Sequence, residues 1–338
     1  MRNLRALALV GAVLAVGAAA CGGGGDGDGK LTVYSGREEE LVAPLFERFE
    51  QETGIDVEVR YSDSAELAAT IAEEGDNSPA DVFFAQDPGS LGAVEGEGLL
   101  AKLPAEILDR VPDAFRDPDG HWAGTSGRAR VIVYNTDALS EDEVPDSVFD
   151  LTDAKWKGRI GIAPTNASFQ AFVTAMRLSE GDERTREWLE AVKRNDPKFY
   201  EKNTPIVEAV ASGEVALGLV NHYYLYLVKE EQPDAPIANH FLAPGDPGSL
   251  VSVAGAAVLA SGDRDLGERF VEFLLSDESQ RFYVDEAEEA EYPLVAGIAA
   301  KQGLPSLDSL RGPEIVLDRL GAELERTLEL LNETGYTS

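Results

Sequence analysis

Two adjacent tyrosines, Tyr223 and Tyr224, are the residues of this sequence best suited to chemistry. They follow an apolar run at residues 215–220 that is typical of a buried strand. We therefore expect them at the carboxyl end of that strand, where open α/β sheets bind their ligands. Phenols there can pack under a loop with their hydroxyls hydrogen-bonded. They can also bind a hard metal ion as phenolates, since its charge lowers their usual pKa of about 10.

The residue types that carry catalysis are sparse or wrongly spaced. Histidine occurs only at His121, His222 and His240, none with a partner at the spacing of a helical metal motif. The sequence has no Gly-x-Ser-x-Gly elbow, no Walker loop, and no cysteine besides Cys21. We therefore expect a binding protein and not an enzyme. Oxygen donors suit hard cations, and two phenolates neutralise most of a ferric charge, whereas Ca²⁺ and Mg²⁺ take carboxylates and carbonyls.

The first residues predict export from the cytoplasm. Arg2 and Arg5 precede an apolar stretch that ends in small residues directly before Cys21. This pattern indicates a lipoprotein signal peptide over residues 1–20, a lipidated Cys21, and a flexible tether over residues 21–29. A plain secretory signal is the alternative. The formal net charge of -33 argues against nucleic acid as a partner, because nucleic acid requires clustered Lys and Arg.

Strands and helices alternate along the rest of the chain, which predicts an α/β fold with a mostly parallel sheet. Hydrophobic patterns predict strands at residues 31–35, 55–61, 81–85, 127–135, 160–162, 215–220 and 250–259, and helices that include residues 41–49, 67–72, 169–178, 185–193, 206–212, 270–275 and 317–331. In the last of these helices, Leu320, Leu328 and Leu331 are expected on the apolar side.

Two of these strands are long enough to run between two lobes. The strands at residues 127–135 and 250–259 would form a hinge, with a cleft that closes around a ligand by domain motion. We expect lobe 1 to comprise residues 30–130 and 254–303, and lobe 2 to comprise residues 131–253 and 304–338. The chain is long enough for each lobe to have its own core.

A series of short stretches carries a family resemblance, found at residues 32–37, 78–83, 126–131, 155–160, 163–165, 221–224, 255–258 and 290–294. In this order and spacing they resemble the periplasmic ferric-ion-binding proteins of bacterial iron ABC transporters. That family has the two-lobed type II periplasmic-binding-protein fold, an α/β fold with two hinge-crossing strands. The resemblance implies that Tyr223 and Tyr224 bind Fe(III) as phenolates from the second lobe.

The resemblance also implies further ligand positions. Glu38 stands at the position of a histidine ligand, and Gln86, a poor ferric ligand, stands at that of a glutamate. Phe169 stands where some relatives have another tyrosine. These departures favour relatives that complete the coordination with a synergistic anion, carbonate or phosphate. The residues implied to contact the anion are Asn166, Ala167, Ser168, Asn203, Asn221, Arg37 and Arg128.

Several of these positions have a structural alternative. Glu38 is equally suited to the first turn of a helix, where an acid favours the helix dipole, and Gln86 to a turn. Arg37 and Arg128 can pair with nearby carboxylates as readily as they can grip an anion through two hydrogen bonds. His222 is expected to form hydrogen bonds near the site rather than to bind the metal.

We therefore expect a monomeric, lipid-anchored, extracytoplasmic protein that captures Fe(III) and an anion between two lobes. It would deliver the ion to an ABC transporter permease. The alternative is a solute-binding protein of the same fold for an organic ligand, such as a polyamine or a phosphorylated metabolite.

Overall fold

The computed structural model of the chain describes residues 29–286 and 290–337. The predicted signal peptide, Cys21 and most of the predicted tether lie outside these residues. Among the helices described, none is both long enough and apolar enough to cross a membrane.

One mixed sheet contains ten strands: β1 (Lys30–Ser35), β2 (Asp56–Tyr61), β3 (Val82–Ala85), β4 (Trp122–Asn135), β5 (Ile160–Ile162), β6 (Lys198–Phe199), β7 (Leu217–Asn221), β8 (Ile237–His240), β9 (Val251–Val258) and β10 (Tyr292–Pro293). Their order is β2-β1-β3-β9-β4-β7-β5-β6, with β8 and β10 also pairing with β4. Strand β1 is parallel to β2 and β3, and β5 is parallel to β6 and β7. Strands β4 and β9 are antiparallel to all their partners. The prediction of a mostly parallel sheet is therefore wrong, because β4 and β9 separate two parallel sets.

Helices connect these strands in the predicted alternation. They are α1 (Glu39–Thr53), α2 (Ser64–Glu74), α3 (Pro88–Gly96), α4 (Ala105–Leu108), α5 (Ala167–Glu180), α6 (Asp182–Arg194), α7 (Asn203–Ala211), α8 (Tyr224–Glu231), α9 (Arg264–Leu274), α10 (Asp277–Asp285), α11 (Arg319–Ala322) and α12 (Leu324–Glu333). The α/β class predicted from the hydrophobic pattern is confirmed.

Strand β4 joins the two parallel sets. It is 14 residues long and buried throughout. Its first part, from Trp122 to Ala129, pairs with β9, and its second part, from Arg130 onward, pairs with β7 and β8. The strand therefore runs between the two halves of the sheet, as predicted for the hinge. Strand β9 pairs with β3 and with the first part of β4.

The buried apolar residues form two large clusters. The first lies against β1, β3 and β9 and contains Phe46 and Phe270; the second contains Trp156 and Phe172. The segment at residues 304–338, assigned to lobe 2 from the sequence, contributes to both. Leu317 and Leu320 belong to the first cluster, whereas Leu330, Leu331 and Tyr336 belong to the second. The other lobe bounds stay a prediction.

The helix predicted over residues 317–331 is wrong as a single helix. Helix α11 ends at Ala322 and α12 begins at Leu324. Leu328, expected on the apolar side, is 40% exposed, whereas Leu330 and Leu331 are fully buried. The physical reason is that the chain passes from one core to the other here. Leu317 and Leu320, before the break, belong to the first cluster, and Leu330 and Leu331, after it, belong to the second.

Candidate metal and anion site

Tyr223 and Tyr224 lie where β7 passes into α8. Strand β7 is buried along its length and ends at Asn221, and Tyr224 is the first residue of α8. The two rings lie side by side, with centroids 4.4 Å apart and an interplanar angle of 32°. Tyr223 is 4% exposed, while Tyr224 is half-buried. The predicted position at the carboxyl end of the strand is confirmed, and it places two phenols together.

His222 holds the backbone that carries the tyrosine pair. Its Nδ1 accepts a hydrogen bond from the backbone N–H of Ala129 at 3.2 Å, and its Nε2–H donates to the carbonyl of Ala290 at 3.0 Å. The ring is fully buried, and burial lowers the pKa of His222 to about 4. Both ring nitrogens of this neutral imidazole are used by the backbone. His222 is therefore a structural link between β4 and the segment before β10, as the sequence indicated.

Three of the residues implied to bind the anion form one hydrogen-bonded cluster at the start of α5. The Oδ1 atom of Asn166, the N-cap of this helix, accepts from the backbone N–H of Ser168 at 3.0 Å and from its Oγ–H at 2.6 Å. The Nδ2 of Asn203 donates to Asn166 Oδ1 and to Ser168 Oγ, both at 3.1 Å. Ala167 is exposed at the first position of α5. The fold thus brings together residues that are far apart in sequence.

Arg130 belongs to this cluster, although the sequence did not single it out. Its Nη1 donates to Ser168 Oγ at 2.9 Å and to Asn221 Oδ1 at 3.3 Å. The residue is only 4% exposed, and its Nη2 is buried without a hydrogen-bond partner. Burial lowers the pKa of Arg130 to about 10, and the charges of Tyr224 and Tyr223 oppose that shift. Arg130 is therefore a buried cation beside the two phenols with a donor available for an anion.

Arg37 and Arg128 are instead engaged by a carboxylate. The guanidinium of Arg37 donates to both oxygens of Glu291 at 3.0 Å, and the Nε of Arg128 lies 3.5 Å from Glu291 Oε1. Burial alone would raise the pKa of Glu291, but the charges of Arg37 and Arg128 outweigh it and lower that pKa. Of the two alternatives for these arginines, the structure contains the carboxylate pairing. Their predicted contact with an anion stays a prediction.

Glu38 and Gln86 lie on elements that pack with the first cluster. Glu38 is the exposed N-cap residue of α1, and its side chain makes no capping hydrogen bond. The backbone N–H of Gln86 donates to Ser64 Oγ at 2.8 Å, and its carbonyl accepts from Arg128 Nη2. The backbone of Gln86 is therefore fixed, while its side chain is half-buried. Their roles as metal ligands stay predictions.

Sequence reasoning missed two residues of this region, Arg130 and Glu291. The two-residue spacing of Arg128 and Arg130 puts both on one face of a strand, so a signal for Arg130 was present. Arg128 and Arg130 differ in whether a carboxylate distant in sequence lies near them. Glu291 forms an ion pair with Arg37, which is 254 positions away, and lies near Arg128. In the described residues, no carboxylate forms an ion pair with Arg130.

The arrangement joins phenols, a buried cation and amide donors in one place. The charge of Arg130 attracts an anion, because charges interact strongly where water is excluded. The side chains of Asn166, Ser168 and Asn203 satisfy one another and hold the start of α5 rigid. A helix start suits an anion, because its N–H groups and dipole favour negative charge. The region can thus bind a metal cation and an anion side by side.

Comparisons with known proteins identify relatives of the chain as a whole. A family model described as bacterial extracellular solute-binding protein matches residues 77–310. The major ferric iron-binding protein of Neisseria meningitidis serogroup B is 35% identical over 90% of this chain and 92% of its own length. Iron-bound HitA from Pseudomonas aeruginosa is 35% identical and superposes with a TM-score of 0.81, covering 91% of this chain and 99% of that one. The Trichodesmium protein IdiA (FutA), solved with iron and citrate ligands, is 29% identical with a TM-score of 0.82 over 91% of this chain and all of that one.

Proposed function

Since this chain belongs to the bacterial extracellular solute-binding proteins, in the branch of the ferric iron-binding proteins, we propose that it captures Fe(III) with the phenolates of Tyr223 and Tyr224. Members of this family are solute-binding proteins and not enzymes, so the expectation of a non-enzymatic protein is confirmed. The observation that carries the proposal is the tyrosine pair at the end of β7, beside a buried arginine that has no carboxylate partner among the described residues.

Charge explains why ferric ion suits this pair. A phenol is neutral in water below about pH 10, so it becomes a good ligand only where positive charge lowers its pKa. Fe(III) supplies such charge. Two phenolates then neutralise most of the ferric charge. A divalent hard cation such as Mg²⁺ supplies less positive charge to the phenols, and it prefers carboxylates and water.

The rest of the coordination is proposed to come from a synergistic anion. Arg130 Nη2 is a buried donor without a partner in the described residues, and it lies on the residue that already binds Ser168 and Asn221. Carbonate or phosphate bound there would accept from this donor and from the start of α5. The likeness to a protein solved with iron and citrate supports an added oxygen ligand in this kind of site. Arg37 and Arg128 would act on the anion less directly, because Glu291 offsets their charge.

Glu38 and Gln86 are proposed to approach the metal from the opposite side of the cleft. Each follows a strand of the β1–β3 set, and neither carboxylate nor amide of these residues is fixed by a described hydrogen bond. Closure of the two halves about β4 would bring such side chains toward the tyrosines. A carboxylate is the better ferric ligand of the two, so Glu38 is the stronger candidate.

The setting outside the membrane completes the proposal. We infer that Cys21 is lipidated and anchors the protein, as a monomer, to the outer face of the cytoplasmic membrane through the tether at residues 21–29. The loaded protein would then present iron to an ABC transporter permease. Mass spectrometry of the protein from a bacterial membrane tests the anchor; an unmodified Cys21 would contradict it.

A visible spectrum tests the iron proposal. Ferric citrate added to the apo protein with carbonate present should give a phenolate-to-iron charge-transfer band, absent in the Tyr223→Phe, Tyr224→Phe double variant. Tyr200→Phe is the matched control, because its hydroxyl binds Glu214 at 3.1 Å outside the site. Absence of a band, with no tight iron binding, would refute the proposal. Binding of a polyamine or a sugar phosphate in place of iron would favour the alternative of an organic ligand.

A further inference from the structure

A second group of metal-ligating side chains lies at the start of β4, apart from the tyrosine pair. It consists of Glu95 on α3 and of Asp117 and His121, which flank a turn. The Nδ1 atom of His121 lies 3.0 Å from Glu95 Oε1 and 3.1 Å from Asp117 Oδ2. One donor atom from each of the three residues lies within 4.8 Å of the others. None of the three belongs to the site proposed for iron.

The turn between Asp117 and His121 holds two of these donors in place. The backbone N–H of His121 donates to Asp117 Oδ2 at 2.7 Å, and the N–H of Gly120 donates to the carbonyl of Asp117 at 3.1 Å. Gly120 has a φ of 88°, a left-handed conformation that favours glycine. Asp117 is only 3% exposed. Backbone hydrogen bonds of the turn therefore hold Asp117 and His121 close together.

Hydrogen bonding within the group leaves acceptors unsatisfied. An imidazole Nδ1 carries at most one proton, yet two carboxylates approach it. Glu95 Oε2 and the Oδ1 of nearby Asp318 are buried and have no hydrogen-bond partner. Among the described residues, no Lys or Arg forms an ion pair with Glu95 or Asp117; His121 alone does so. Buried polar atoms without partners are rare in proteins and call for a missing group.

Charge repulsion gives the same indication. The carboxylates of Glu95 and Asp117 both approach the one imidazole of His121. A divalent cation would offset this negative charge and supply the unsatisfied oxygens with a partner.

We propose that Glu95, Asp117 and His121 bind a divalent first-row transition-metal ion such as Zn²⁺. The mixed imidazole and carboxylate set suits such ions better than Ca²⁺ or Mg²⁺, which take oxygen ligands. Metal–ligand distances of about 2.0–2.2 Å place neighbouring ligand atoms roughly 3.3 Å apart. The two distances of 3.0 and 3.1 Å from His121 Nδ1 are close to that spacing.

The position of the group indicates what the ion would do. Asp318 directly precedes α11 and packs on α3, where a Cβ added at Gly92 would lie 3.0 Å from the Cβ of Asp318. His121 directly precedes β4. A bound ion would therefore tie α3 to the start of the hinge strand, next to the place where the C-terminal segment packs on α3. This role is structural, and it does not depend on the binding of iron at the tyrosines.

Zinc titration tests the proposal on the full chain carrying Tyr223→Phe and Tyr224→Phe, so that the proposed iron site does not compete. Calorimetry at physiological salt should give one Zn²⁺ per protein, and Co²⁺ should give visible d–d absorption with nitrogen among its ligands. His121→Gln and Glu95→Gln should each weaken binding at least tenfold. Bound Zn²⁺ should also raise the melting temperature of the parent more than that of either variant.

His240→Gln is the matched control, because His240 Nε2 pairs with only one carboxylate, Asp146 Oδ1, at 2.9 Å. It should leave the zinc affinity unchanged. No zinc binding by the parent, or equal binding by the parent and Glu95→Gln, would overturn the proposal. Loss of zinc binding in His240→Gln would overturn it too. Glu95 is partly exposed, so we expect Glu95→Gln to fold. This variant therefore tests the zinc site if His121→Gln does not fold.

Discussion

Arg130 donates a hydrogen bond from Nη1 to the side-chain oxygen of Asn221 at 3.3 Å, across the register in which these two residues face each other on β4 and β7. Asn221 ends β7 two residues before Tyr223. The hinge strand thus contacts the strand that carries the tyrosines through a charged side chain. An anion bound at Arg130 would therefore lie next to both the hinge strand and the strand that leads to the proposed metal ligands.

Replacing Arg130 tests its place in the anion site. Arg130→Gln should lower the iron affinity in carbonate or phosphate by roughly ten- to a hundredfold, since hydrogen bonds to charged groups contribute about 1.5–3 kcal/mol. The dependence of that affinity on the anion should weaken as well. Competition with citrate, followed by the charge-transfer band, measures both. Arg269→Gln, at an exposed arginine of α9, should change neither. An unaltered anion dependence in Arg130→Gln would contradict the assignment.

Glu291→Gln should destabilise the fold by about 3–5 kcal/mol, because it removes the negative charge from a buried ion pair with Arg37 that Arg128 also approaches. Urea unfolding followed by fluorescence measures the loss. Arg37→Met in the same chain should restore part of it, since no buried guanidinium then remains at that position. A change below about 1 kcal/mol in Glu291→Gln would mean that the pair contributes no more than an exposed one.

His222→Ala should lower the free energy of unfolding by about 2–6 kcal/mol, because it leaves the N–H of Ala129 and the carbonyl of Ala290 buried without partners, at about 1–3 kcal/mol for each group. The folded fraction of this variant should still bind iron, with a charge-transfer band at the wild-type wavelength. That result is expected because the imidazole nitrogens face the backbone and not a metal. A band shifted in wavelength would instead place His222 in the coordination sphere.

Leu328 and Leu330, two positions apart on α12, test which face of this helix is buried. Leu330→Ala should destabilise the protein by about 2–5 kcal/mol, the usual range for emptying a buried leucine site. Leu328→Ala, on the same helix but 40% exposed, should change the free energy of unfolding by no more than about 0.5 kcal/mol. Thermal and urea unfolding of both variants measure the difference. Equal effects would show that α12 does not dock as described.

The sequence by itself determined the α/β class and the position of the tyrosine pair. Local hydrophobic patterns report which side chains are buried, so they located β7 and the residues that follow it. The same patterns failed where one segment serves two cores. In residues 317–331, periodicity alone could not show that Leu320 and Leu331 face different clusters.

Only the tertiary structure decided how charges are paired. The sequence analysis named Arg37 and Arg128 as anion contacts and did not single out Arg130, because nothing local shows which arginine has a carboxylate partner. The fold brings Glu291 to Arg37 from 254 positions away and leaves Arg130 facing Asn221 and Ser168. The physical reason is that electrostatic pairing depends on distance and burial in space, which strand register and the path of β4 set. Sequence patterns record burial along the chain, but not which distant groups meet.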